Sequence, residues 1–178
     1  MVTWVALFRG INVGGKNSLP MKQLVALLGR EGFAGARTYI QSGNVVVRGA
    51  TGTTKSLAKR IGQAVQEDCG FRPKVLVLTA KELQAAAASN PFPDAEAQPK
   101  TLHLFFLAEK PRSVDLASLN QFRAGKEAYA LKGKIFYFYA PDGFGTSKLA
   151  ANVERLLHVD ATARNWRTIS ALLSMIKE

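Results

Sequence analysis

The alternation of apolar and polar positions along the chain sets out a series of short elements. Thr3 to Arg9 carries apolar residues on both faces, the pattern of a strand covered on two sides. A Gly-rich loop follows. Then Met21, Leu24, Val25 and Leu28 recur at the i, i+3, i+4, i+7 spacing of one buried helix face. Pro20 is expected to open this helix, Ser18 to cap it and Gly32 to stop it. "ARTYI" and "NVVVR" are β-rich runs on either side of Gln41-Ser42-Gly43, which predicts a hairpin. A second helix is expected from about Thr54 to Asp68, with Leu57, Ile61, Val65 and Cys69 inward and Gly70 at its end. "PKVLVLT" is the next strand. The order β-α-β-β-α-β is that of a ferredoxin-like unit.

Thr79-Ala80-Lys81-Glu82 reads as a capping box that opens an Ala-rich helix to about Ser89. "NPFPDAEAQP" then breaks the pattern, with three prolines and two carboxylates in ten residues. A boundary there gives an N-terminal subdomain, 1–90, and a C-terminal α+β subdomain, 91–178, with an extra terminal helix. In the second half, "TLHLFFLAE" is a doubly buried strand and a short helix is expected around Val114 to Asn120. "EAYAL" and "KIFYFYA" form a hairpin around Lys132-Gly133. "PDGFGTSK" leads into a helix from about Ser147 to His158, and a last helix runs from about Arg164 to Lys177. The fold class expected is α+β, as two ferredoxin-like subdomains with antiparallel sheets. The repetition rests on element order, since the halves share no obvious sequence repeat.

With 178 residues, of which 47% are apolar, the chain can build a full domain or two small ones. No apolar run approaches the roughly 20 residues of a membrane span. "MVTWVALFRG" lacks the basic region and cleavage site of an export signal. One cysteine, Cys69, allows no internal disulfide and fits a reducing compartment. A cytoplasmic protein without a membrane partner is therefore expected. Charge changes the picture more. Lys and Arg number 24 against 13 Asp and Glu, and residues 1–89 hold 12 of the basic but only 4 of the acidic residues. Such an excess concentrates anions, with nucleic acid or a phosphorylated small molecule as expected partners, although solubility alone also accounts for net charge.

Gly10-Ile11-Asn12-Val13-Gly14-Gly15-Lys16-Asn17 is one residue short of the phosphate-loop pattern G-x-x-x-x-G-K-[ST]. Asn17 stands where a hydroxyl should bind magnesium, the helix is delayed to Pro20, and no apolar strand ends in an Asp. Nucleotide hydrolysis is thus not expected. Gly14, Gly15 and Lys16 retain the makings of a backbone nest for an anion, with Arg9 and Asn12 as further donors. Asp142 to Lys148 is a second Gly-rich loop before a helix, where Ser147 and Lys148 would face an anion; a Pro-Asp-Gly turn with a capped helix explains the same residues. "TARNWRT" gathers Arg164, Asn165 and Trp166, a guanidinium fork and a ring that can stack or simply pack. "KGKIFYFY" matches the RNA-recognition strand at Lys132, Gly133, Phe136 and Tyr139, but Lys134 occupies a key aromatic position. His103 and His158 are the only histidines, and no zinc spacing exists.

"RGINVGGKNSLPM", "TYIQSGNVVV", "YAPDGFGTSKL" and "TARNWRT" together resemble the hallmark segments of the domain of unknown function 1697 family of bacterial proteins. The resemblance covers nearly the whole chain and implies two ferredoxin-like subdomains, without an established activity or cofactor. Its pattern falls on Arg9, Gly10, Asn12, Gly14, Lys16, Tyr39, Ser42, Gly43, Asn44, Ser147, Lys148, Arg164, Asn165 and Trp166, with a departure at Phe8 and Phe144. The expected function is binding of an anionic ligand in a cleft between the subdomains, through Arg9, Asn12, Gly14, Gly15, Lys16, Ser42, Asn44, Ser147, Lys148, Arg164, Asn165 and Trp166. The alternatives are an enzyme for a small anionic metabolite, with Lys16 or Lys148 as electrophile or acid/base, and a purely structural role for these residues.

Overall fold

The computed structural model describes residues 2–49 and 51–178. Two compact units form, one from residues 1–85 with 170–178, the other from 86–169. The first contains β1 (Thr3–Arg9), α1 (Met21–Arg30), β2 (Phe33–Tyr39), β3 (Asn44–Gly49), α2 (Thr54–Cys69) and β4 (Lys74–Thr79). Its sheet is antiparallel throughout, in the order β2-β3-β1-β4. The second contains β5 (Leu102–Leu107), α4 (Leu116–Phe122), β6 (Ala128–Lys132), β7 (Ile135–Tyr139), α5 (Lys148–Leu157) and β8 (Ala161–Asn165). Its sheet order, β6-β7-β5-β8, is the same arrangement again. Both units are therefore ferredoxin-like, each with two helices returning across one face of four strands. After β4 comes α3 (Ala80–Ala88), and after β8 comes α6 (Trp166–Met175).

Strand alternation explains how the first core closes. Trp4, Ala6 and Phe8 of β1 join Val45 and Val47 of β3 and Val77 of β4 on the face that receives α1 and α2. Leu24, Leu27 and Leu28 of α1 and Leu57, Ile61 and Val65 of α2 complete this cluster. Val5 and Leu7, on the opposite face of β1, are also fully buried. The central strand is thus apolar on both sides, as its sequence requires. In the second unit Phe105 packs edge-on to Phe136 and Phe138 beneath α4 and α5.

Several expected boundaries shift, for local reasons. Ser18 does not cap α1: Pro20 takes the N-cap position, and no side chain bonds to the first turn. Its inner face uses Leu27, one helical turn from Leu24, with Val25 only half-buried. The Thr79–Glu82 capping box forms in both directions, Glu82 N–H to Thr79 Oγ1 at 3.1 Å and Thr79 N–H to Glu82 at 2.7 Å. Arg164 and Asn165 belong to β8 rather than to the last helix, which begins at Trp166. "ATARN" has no apolar run to announce a strand; its pairing with β5 supplies the ladder.

Candidate functional site

At one end of the first sheet, β1 delivers the chain into the Gly-rich loop. The loop is a miniature hairpin. Val13 and Lys16 form a single β-bridge, and Lys16 N–H donates to the Val13 carbonyl at 3.1 Å. Gly14 and Gly15 at its tip have φ of 59° and 73°, the left-handed pair of a type I′ turn, which glycine occupies without strain. A phosphate nest needs alternating handedness and free amides. Here the Lys16 amide is spent in the turn, so the expected nest does not form; Lys16 offers its exposed ammonium instead.

Asn12 and Asn17 both adopt φ of 53°, a conformation Asn tolerates better than most residues. Asn17 Nδ2 closes the loop base on the Gly10 carbonyl. Asn12 Nδ2 donates to the carbonyls of Leu19 at 2.9 Å and Gln41 at 2.8 Å, and its Oδ1 accepts from Leu19 N–H at 2.7 Å. Both donors of the Asn12 amide are therefore committed within the protein, with its oxygen holding Leu19. Its bond to Gln41 ties the hairpin to the β2–β3 turn. Phe8 N–H, donating to the Gly43 carbonyl at 2.8 Å, makes a second tie. Within that turn, buried Asn44 donates to the Tyr39 carbonyl and to Ser42 Oγ. Gly43 admits no side chain. A Cβ there would lie 2.5 Å from Phe8 Cβ and 2.6 Å from Ile11 Cδ1.

Cations gather at this end. Arg9 closes β1, and Lys74, which opens β4, stands directly opposite it. Opposed residues share a face, so the two side chains leave the sheet on the same side, each engaged within the protein. Lys74 has no sequence signature of its own; only the strand register reveals it. The first turn of α1 reaches the same end, with its amides uncapped by any side chain.

In the second unit, Ser147 caps α5 by accepting from Ala150 N–H at 3.0 Å, and Lys148 is exposed beside it. Asn165 Oδ1 accepts from Thr168 N–H and so caps α6. Trp166 is buried. Burial lowers Arg164 to a pKa of about 10, still charged at neutral pH, and its guanidinium donates to the Ala163 carbonyl. His103 pairs in register with Asn165 and stacks on Phe144, with ring centroids 3.8 Å apart. Burial pushes its pKa down to about 4, so the ring is neutral at pH 7. The Thr101 backbone opposes this shift without giving the buried Nδ1 a well-formed hydrogen bond.

Residues 1–137 match the family model described as "Protein of unknown function (DUF1697)". The chain belongs to the DUF1697 family. This DUF1697 protein also resembles a solved structure, that of the conserved bacterial protein SP0830 from Streptococcus pneumoniae. The TM-score is 0.68 at 19% identity, over 98% of each chain. That likeness shows the fold, an α+β pair of similar subdomains. No curated protein matches the chain. Among the described residues, no helix is long and apolar enough to cross a membrane.

The residues singled out in the sequence of this DUF1697 chain separate into two kinds. Asn12, Asn44, Ser147 and Asn165 spend polar atoms on braces and caps. Gly14 and Gly15 set a turn, Ser42 accepts from Asn44, and Trp166 packs. Arg9, Lys16, Lys148 and Arg164 are the cations. Arg9, Asn12, Gly14, Gly15, Lys16, Ser42 and Asn44 gather at one end of the first unit. Ser147, Lys148, Arg164, Asn165 and Trp166 are residues of the second.

Proposed function

We propose that this protein is a binding module for an anionic, phosphate-bearing ligand, and that the hairpin end of the first unit receives it. One observation carries the reading: the braced Gly-Gly hairpin at the end of β1 presents an exposed Lys16. An ammonium held out on a braced turn can engage a phosphate without reorganising the loop. The uncapped first turn of α1 adds partial positive charge at the same end. Asn12 and Asn44 act in this reading as braces that hold the loops in place, and not as ligands.

A structural role for the remaining motif residues is supported by a separate observation: Ser147 and Asn165 are both helix caps. The ligand site is therefore assigned to the Lys16 hairpin, and the second-unit motifs to the stability of α5 and α6. Titration with pyrophosphate, followed by amide NMR, tests the assignment. Shifts concentrated at residues 9–22 are expected. Shifts spread over all exposed lysines, or none, would count against it.

A further inference from the structure

We propose a second ligand site, separate from the hairpin and independent of the reading above: the start of α5 binds a small carboxylate with an apolar body, which meets His103 when Phe144 swings aside. The starting point is a polar atom that the fold leaves unanswered. His103, on β5, is only 8% exposed, and its Nδ1 has no hydrogen-bond partner. Buried polar atoms are nearly always paired, and an orphan destabilises the fold. The stack on Phe144 does not require a nitrogen, since a phenyl ring would fill the same place and leave nothing unpaired. An imidazole at this position is accounted for by a partner that binds there.

The surroundings of His103 are those of an anion site. Alternation along β5 puts it on the face of Phe105 and Leu107, which α4 and α5 cover. Asn165 of β8 stands directly opposite on that face. Its Oδ1 accepts from Thr168 N–H, and its Nδ2 has no partner among the described residues. The Phe144 ring lies 3.8 Å from the imidazole and 15° from parallel. The Phe144 carbonyl accepts from Ser147 N–H at 3.2 Å, so the stacked pair lies against the turn that opens α5. Ser147 Oγ occupies the Ala150 amide, and the Ser147 carbonyl the Ala151 amide. Among the described residues the amides of Lys148 and Leu149 meet no acceptor, and the first turn has no carboxylate. Together with the helix dipole they favour a negative group beside the ring.

The donor set selects the ligand. Two helix amides, Asn165 Nδ2 and a neutral imidazole N–H match the lone pairs of a single carboxylate. A phosphate dianion calls for guanidinium forks, and Arg164, next to Asn165 on β8, alternates to the other face. The protein's own carboxylates at this end are turned elsewhere: Glu127 accepts from Ala124 N–H at 2.9 Å, and Asp142 Oδ2 lies against Gly125. Phe105 and Phe138, with ring centroids 5.8 and 6.3 Å from that of Phe144, give apolar walls for the body of the ligand. Phe144 closes the site in this structure. It is flanked by exposed Gly143, at φ of 118°, and by exposed Gly145, and Thr146 Oγ1 reaches the Gly143 carbonyl only at 3.4 Å. Glycines on both sides let the ring leave without unwinding α5.

The test is NMR titration of isotope-labelled protein with benzoate at neutral pH, followed at the backbone amides and at the imidazole nitrogens. His158 is the only other histidine, so two rings need assignment. Inorganic phosphate and benzamide, which keeps the ring and loses the charge, are titrated in parallel. Benzoate is expected to shift the His103 ring nitrogens and the amides of Phe144 to Leu149, and to bind more tightly than either comparison. His103→Phe should weaken benzoate on the order of ten-fold with no loss of melting temperature, as removal of one hydrogen bond to a charged group does. Phe144→Ala should bind benzoate several-fold more tightly, because no lid has to open. Benzoate affinity unchanged in His103→Phe, or shifts that leave the His103 ring untouched, would overturn the site. Benzamide or phosphate binding as tightly would overturn the ligand class, and weaker binding by Phe144→Ala the lid. No response to benzoate would bring down the whole proposal. The hairpin reading shares no residue with this site and stands or falls separately.

Discussion

Asn12 shows how one side chain can hold a site that it does not form. Three hydrogen bonds leave it, to partners seven and 29 residues away. Asn12→Ala removes them all and places Ala at a φ of 53°, so a loss of about 2 kcal/mol is expected in urea denaturation. Gly43 is the complementary case. Gly43→Ala drives a methyl into Phe8 and Ile11 at a left-handed φ of 75° and should cost about 3 kcal/mol. Neither role is legible in the sequence, where Asn12 reads as a donor free for a ligand. Its bond to Gln41 exists only because β2 and β3 return to the end of β1. A Gly-rich loop at Gly14-Gly15 was legible, but not its type I′ turn, because glycine is open to both a nest and a hairpin and only the Lys16 bond to Val13 selects the hairpin.

Among the elements, α5 and β5 carry the clearest consequences. Ser147→Ala should lower stability by about 1 kcal/mol through loss of the α5 cap, whereas exposed Lys148→Ala should stay within about 0.5 kcal/mol. Thermal melts of the two variants separate a capping role from a charge role. His103 gives β5 a pH dependence. Its folded pKa of about 4 lies below the ordinary value of 6.5, so the unfolded chain takes up the proton first as pH falls. Its contribution is intact above pH 6.5 and declines between there and pH 4, by about 3 kcal/mol in all. His103→Phe keeps the stack on Phe144 and should flatten that part of the stability–pH curve. A slope unchanged in the variant would assign the acid sensitivity elsewhere. Elements with strong periodicity, α2 and β1 above all, could be read directly from the chain. β8 could not, because Ala161 to Asn165 has neither an apolar run nor a turn signal, and its partner β5 lies some 60 residues earlier.

For the molecule as a whole, the repeated β-α-β-β-α-β order and the uneven charge are the two facts that bear on function. The first was legible from element order and is matched by two sheets of the same topology. The second was legible from composition, but which cation is presented was not: only the folded loop shows Lys16 exposed on a braced hairpin. If net charge alone attracted anions, the position of a removed lysine would not matter. Lys16→Glu and Lys59→Glu change the charge equally, and Lys59 is exposed on the outer side of α2. The most direct measurement is therefore the affinity of these two variants for tripolyphosphate by calorimetry at low salt. Binding lost on the order of ten-fold in Lys16→Glu and nearly kept in Lys59→Glu is the predicted result. Equal losses in the two, or none in Lys16→Glu, would contradict a site at the hairpin end.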